Sequence, residues 1–158
     1  MYNKDGAIIF LGPSGTGKTT ICNLLSAYID VLAEDAIYLV PQPAGRYGVL
    51  CGDKYAHTET PQQFFAKTNP GPGIPLRAIV RLYQAEKPYL RRIDAFLTCR
   101  YLTDAFYEVV RQRREPLDVK QRIFATLAEM ARYLGGHEFH FTLSPHIPRI
   151  MNLELGLW

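Results

Sequence analysis

Three features of this 158-residue chain predict an α/β domain in which a mixed, strand-rich sheet is flanked by helices. The first is an apolar run, Ala7-Ile8-Ile9-Phe10-Leu11, that passes straight into Gly12-Pro13-Ser14-Gly15-Thr16-Gly17-Lys18-Thr19, the pattern of a strand entering a P-loop. The second is hydrophobic period: runs and alternation dominate up to Tyr83, and steps of three and four dominate two later segments. The third is the lack of internal repeats or of a linker long enough to separate domains, so residues 1–158 read as one unit.

The elements follow in order. After the loop, Ile21, Leu24, Leu25 and Tyr28 stand at helical spacing. Val31-Leu32-Ala33 reads as a short strand ending on the acidic pair Glu34-Asp35, and Ile37-Tyr38-Leu39-Val40 as a second strand closed by Pro41 and Pro43. Gly48-Val49-Leu50-Cys51 is a further strand, and the Pro- and Gly-rich stretch up to Pro75 is an irregular loop. In the next strand Leu76, Ala78, Val80 and Leu82 share one face, and Arg77, Ile79, Arg81 and Tyr83 the other. Two helices carry apolar stripes, Ala95, Cys99, Leu102, Phe106 and Val109 in one, and Ile123, Leu127, Met130 and Leu134 in the other. Asp118 with Gln121 resembles a capping box, and Gly135-Gly136 is a stop. Residues 137–143 alternate like a final strand, and Ser144-Pro145 starts a terminal helix with Ile147, Ile150 and Met151 inward.

Composition narrows the function classes. No apolar run approaches the roughly 18 residues a membrane span needs, and residues 1–6 lack the basic and apolar regions of a secretory signal, so a cytoplasmic protein with no membrane partner is expected. Cys22, Cys51 and Cys99 are widely spaced, as reduced thiols are, and Cys22 and Cys99 fall on apolar faces. A net charge of +3 is too small to argue for nucleic acid, although Arg91-Arg92 and Arg111, Arg113 and Arg114 concentrate basic charge; a solvated helix end accounts for them.

The chemistry lies in the loop. Its glycines let successive N–H groups turn inward around a phosphate, Lys18 adds a mobile cation, and the Thr19 hydroxyl suits the coordination shell of Mg²⁺. Gly12, Pro13, Ser14, Gly15, Thr16, Gly17, Lys18, Thr19 and Thr20 therefore form the expected nucleotide-binding set, with ATP and Mg²⁺ as ligands. Phosphoryl transfer also needs carboxylates, and Glu34 and Asp35, one helix and one strand after Lys18, are the candidates for metal and proton handling. Arg77, and with less weight Arg81, are candidates to stabilise charge moving onto the leaving group. His57 is a surface or site histidine, whereas His137 and His140 fall on opposite faces of a strand and cannot share a metal. The long segment 58–75, with Phe64-Phe65, reads as a lid or acceptor-binding loop.

The string Gly12-Pro13-Ser14-Gly15-Thr16-Gly17-Lys18-Thr19-Thr20, the pair in Leu32-Ala33-Glu34-Asp35, and the segment Pro75-Leu76-Arg77-Ala78-Ile79 together resemble the C-terminal kinase domain of HPr kinase/phosphorylase and its HPr-kinase-like relatives, which share the phosphoenolpyruvate-carboxykinase-type nucleotide fold. The resemblance implies ATP- and Mg²⁺-dependent phosphorylation of a hydroxyl, typically serine on a protein or peptide, with Glu34 as general base and Asp35 helping to hold metal. Glu34 stands where that family usually has aspartate, and no counterpart of the HPr kinases' downstream signature is found. The chain also looks shortened ahead of the P-loop strand, so either the domain does without those strands and protects a sheet edge, or a second copy, in a homo-oligomer, or a partner chain completes the sheet. Two other readings stay open: a small-metabolite kinase of the shikimate or gluconate type, and a nucleotide-binding regulatory module without catalysis.

Overall fold

The computed structural model describes residues 1–3, 5–33, 37–51, 73–109 and 115–156. Among them the chain forms β1 (Tyr2–Asn3), β2 (Gly6–Leu11), α1 (Lys18–Leu25), β3 (Ile37–Pro41), β4 (Tyr47–Cys51), β5 (Ile74–Gln84), β6 (Tyr89–Ile93), α2 (Ala95–Val109), α3 (Leu117–Leu134), β7 (Gly136–Phe141) and α4 (Ile147–Leu155). The seven strands form one mixed sheet. β5 is its hub: it runs parallel to β2 along one edge, and along the other it meets β4 antiparallel at its start and β7 parallel toward its end. β3 pairs antiparallel with β4, β6 with β7, and β1 with β2.

Alternation along β2 divides the core between the sheet's two faces. Ile8 joins Ala78, Val80, Leu82, Phe139 and Phe141 beneath α1 and α4, which contribute Ile21, Leu25, Ile147 and Met151. Ala7 and Leu11 join Leu76 and Ile79 on the opposite face, covered by Cys99, Tyr101 and Leu102 of α2 and Leu127, Met130 and Ala131 of α3. The result is a three-layer α/β/α arrangement around the hub strand, whose Val80 and Leu82 are at most 1% exposed. Burying each such side chain contributes about 1.5–3 kcal/mol. The eight residues of α1 are too few for a stable isolated helix, so the fully buried Ile21 and Leu25 hold it in place.

Several expectations change. Leu76 does not share a face with Ala78, because the register between β2 and β5 shifts where Ala7 meets Leu76 and Ile8 meets Ala78. The extra residue there is Arg77, and a bulge of this kind turns the preceding side chain to the other side of the sheet. Arg77 and Arg81 consequently do not form one polar face. Val31-Leu32-Ala33 is not a strand: only Asp30 makes an isolated bridge, to Tyr2, and the following residues leave the ladder. α1 stops at Leu25, so Tyr28 lies in the ensuing turn and is 53% exposed, while Ile29 takes the core position. Asp118 caps nothing; α3 begins after Pro116, and Asp118 pairs instead with Arg122 at 3.2 Å on the solvent face. β7 ends at Phe141, leaving Thr142 and Leu143 exposed. Arg91 and Arg92 belong to strand β6 rather than to a helix end.

The stripe of α2 as far as Phe106, the stripe of α3, the Gly135 stop, the final strand, and the terminal helix with Ile147 and Met151 buried match the sequence reading. Among the described residues no helix is long and apolar enough to cross a membrane.

Candidate functional site

The parallel strands β2 and β5 end side by side, and in open α/β sheets ligands bind beyond the carboxyl ends of such strands. Leu11 ends β2, and Gly12 opens the loop. A tight turn follows in which the Thr16 N–H and hydroxyl both donate to the Pro13 carbonyl, at 3.2 and 2.6 Å. Gly15 adopts φ +80°, with nothing among the described residues within 4 Å of the place a Cβ would take. Gly17 adopts φ 101° and ψ 20° as the residue before α1, and its carbonyl accepts the first helical bond, from the Ile21 N–H at 2.9 Å. A Cβ on Gly17 would lie 2.9 Å from Cζ of the buried Phe141. Both left-handed positions require glycine, one for conformation alone and one for conformation and room.

The first N–H groups of a helix have no partner inside it, so the amino end of α1 offers donors and partial positive charge to an anion. Lys18 arches back over the loop, its Nζ donating to the carbonyls of Gly12 at 2.7 Å and Pro13 at 3.1 Å. That arch holds the ammonium at the mouth of a cradle built from backbone. Lys18, Thr19, Cys22, Asn23 and Val31 line a recess of about 30 Å³, room for about two waters. Val31 lies three residues before Glu34, so the chain passes this recess on its way to the acidic pair. Glu34 and Asp35 themselves lie outside the described residues, as do His57, residues 58–72 of the expected lid loop, and Arg111, Arg113 and Arg114. Ile74 and Pro75, assigned to that loop by sequence, already belong to β5.

Arg77 is not brought to the loop. It sits at the bulge near the start of β5, four residues before Arg81, which pairs with Leu11; at about 3.3 Å per residue this is roughly 13 Å from the strand ends. Its guanidinium donates to the Leu155 carbonyl at 3.2 Å and stands 3.9 Å from Asp5. Arg77 therefore closes the carboxyl end of α4, where unpaired carbonyls attract a cation.

Arg81 is level with the last residue before the loop, on the α2 face. Its guanidinium carbon lies 5.7 Å from the ring centre of Tyr83 and 5.1 Å from that of Tyr101, within cation–π range, and its Nε is buried without a hydrogen-bond partner among the described residues. Beneath it lies a polar network that sequence reading missed. Tyr83 donates to the Tyr101 hydroxyl at 2.8 Å, and Tyr101 donates to Glu138 at 2.6 Å. Arg91 donates to the same carboxylate at 2.6 Å, and His140 meets it at 3.2 Å while stacking between Tyr83 and Tyr89. Burial alone would raise the Glu138 pKa, but hydrogen bonds from Tyr101, Arg91 and His140 and the charge of Arg91 together hold it below the usual value. Tyr101 is pushed up, first by burial and then by donation to Glu138. His137, on the opposite face as expected, is pushed down by burial and by Arg92.

Gln84 was also missed. It closes β5 and donates from Nε2 to the Gly15 carbonyl at 3.3 Å, tying the hub strand to the crest of the loop. The available signal was position, since a polar residue at the carboxyl end of the strand beside β2 stands next to the loop that follows β2. No sequence period marks Glu138, because its partners outside β7 come from β6 and α2. Among the described residues no group of three or more His, Cys, Asp or Glu is arranged to hold a metal ion. Comparison with protein-family models, with curated proteins and with solved structures returned no match.

Proposed function

We propose that this chain is a phosphotransferase of the HPr-kinase-like type, which binds ATP with Mg²⁺ and transfers the γ-phosphoryl group to a hydroxyl, a serine of a protein or peptide. The observation that carries the reading is the cradle: two glycines at positive φ, room around Gly15 among the described residues, and Lys18 arched over the mouth at the amino end of α1. These features fit a polyphosphate, because they supply backbone donors and one mobile cation without a bulky side chain in the way.

In this mechanism the loop amides and Lys18 bind the β- and γ-phosphates; Thr19 and Asp35 would hold Mg²⁺, which would supply charge neutralisation. Glu34 takes the proton of the acceptor hydroxyl as its oxygen bonds to the γ-phosphorus. The bond from that phosphorus to the β,γ-bridging oxygen breaks, and ADP leaves with the electron pair. The roles of Glu34 and Asp35 rest on their sequence positions and on the resemblance. Arg81, level with the loop's entry, is better situated than Arg77 to stabilise charge on the leaving group.

The test is transfer from γ-labelled ATP, with Mg²⁺, to a serine-peptide library. Wild type should label a subset of peptides, Lys18→Ala should lose ATP binding, and Glu34→Gln should keep binding while losing transfer. Wild-type protein that binds ATP but transfers no more label than Glu34→Gln would remove the enzyme reading and leave a binding module.

A further inference from the structure

Beside the phosphate cradle lies a second feature that the mechanism above does not use. An open depression of about 540 Å³ adjoins the loop and shares no lining residue with the Lys18–Thr19 recess. Gly15, Gly17 and Thr20 form its near wall, the end of β5 with Gln84 and Glu86 forms another, and Phe141 to Leu143 form the third. Its size falls within the roughly 300–1,000 Å³ of small-ligand sites.

We infer that this depression receives the nucleoside half of the nucleotide whose phosphates lie on the loop; the inference rests on the nucleotide reading of the cradle. Continuity supports it, because Gly15 and Gly17 line the depression and also form the cradle, so one ligand can occupy both without a gap. Electrostatics then sort the ligand's ends. The loop presents donors and Lys18, whereas the far wall presents the Glu86 carboxylate, which only accepts hydrogen bonds and repels phosphate. What lies over Glu86 must therefore be neutral and rich in donors, as ribose hydroxyls and the amino group of a base are.

The same wall offers an apolar surface. Leu143 is 70% exposed, a large hydrophobic residue left uncovered next to the loop, and the Phe141 ring lies beneath. A planar base seated on Leu143 removes that surface from water. Gln84 has one amide hydrogen on Gly15, which fixes the wall relative to the loop and leaves its carbonyl oxygen to accept from the ligand. An inorganic polyphosphate would match only the loop end of this surface.

The experiment compares binding of ATP and of tripolyphosphate, each with Mg²⁺, by calorimetry on wild type, Leu143→Ser, Glu86→Gln and Lys18→Ala. Leu143 and Glu86 are both exposed, and thermal unfolding checks that each variant retains its fold. Leu143→Ser should weaken ATP roughly five- to tenfold, the value of partly covering a leucine, and should leave tripolyphosphate unchanged. Glu86→Gln should weaken ATP and tighten tripolyphosphate, opposite signs that a general disturbance would not give. If Lys18→Ala abolishes binding of both ligands while Leu143→Ser and Glu86→Gln shift both equally or not at all, the phosphate reading stands and the nucleoside site is overturned. If neither ligand binds wild type, both readings fall.

Discussion

Replacing Gly17 by alanine should destabilise the fold and disable the cradle together. At φ 101° and ψ 20° an L-residue is strained, at a cost of about 1–3 kcal/mol. The new methyl would lie 2.9 Å from Cζ and 3.5 Å from Cε2 of Phe141. That ring is 3% exposed and stacks on Phe139 with centroids 5.6 Å apart, in the core shared with Ile21, Leu25, Ile147 and Met151. It cannot retreat without moving a packed neighbour, and overpacking of this kind costs about 1–3 kcal/mol. Some relaxation of the loop will lower the sum, so the expected loss is about 2–4 kcal/mol, or a fall in Tm of roughly 4–16 °C for a domain of this size. ATP affinity should fall at least tenfold, because relief of either strain rotates the N–H groups of the cradle.

Equilibrium urea unfolding, followed by circular dichroism, measures the first effect and calorimetry the second. A double-mutant cycle with Phe141→Leu separates the two costs. The smaller side chain should recover the steric part, giving a coupling of about 1 kcal/mol or more, and leave the backbone part in place. Gly17→Ala within about 0.5 kcal/mol of wild type, with ATP binding intact, would refute both the loop conformation and the contact with Phe141.

Two further outcomes test the network and the half-buried His137. Tyr101→Phe removes the donor to Glu138 and the acceptor for Tyr83; it should cost about 1.5–3 kcal/mol in urea unfolding, and an unchanged midpoint would mean that the network contributes no net stability. Acid should weaken the fold in two stages. His137 has a folded-state pKa below its ordinary 6.5, so the unfolded chain takes up the proton first and stability falls as pH drops below about 6.5. Glu138 has a folded-state pKa below 4.5, so its contribution persists above that value and is lost as pH falls through the lower, folded-state pKa. His137→Gln should flatten the first stage and leave the second, as read from urea midpoints across pH; a wild-type midpoint constant between about pH 7 and 5 would contradict the role given to His137.

What could be read from sequence was what neighbouring residues decide among themselves. The strand, loop and helix around Lys18 depend on local φ preferences and on apolar spacing within about twenty residues, and the stripes of α2 and α3 on a 3.6-residue period. Reading failed where a short apolar run had no ladder to join, as at Val31-Leu32-Ala33, and where spacing outran the helix, as at Tyr28. It also failed at Leu76, since strict alternation assumes an unbroken ladder and the bulge at Arg77 becomes visible only against β2. Strand β6 was hidden by Arg91 and Arg92, whose charges obscure a strand until Glu138 is known to lie opposite.

Local sequence thus suffices for a glycine-rich loop between a strand and a helix, because the glycines and Lys18 act within one turn of each other. The surroundings of that loop depend instead on tertiary pairing. Strand order sent Arg77 to the carboxyl end of α4, set Arg81 level with Leu11, and joined Gln84 to Gly15 across a separation of 69 residues. Sheet neighbours are chosen by which apolar faces can be buried together, a property of the whole chain that no local pattern carries.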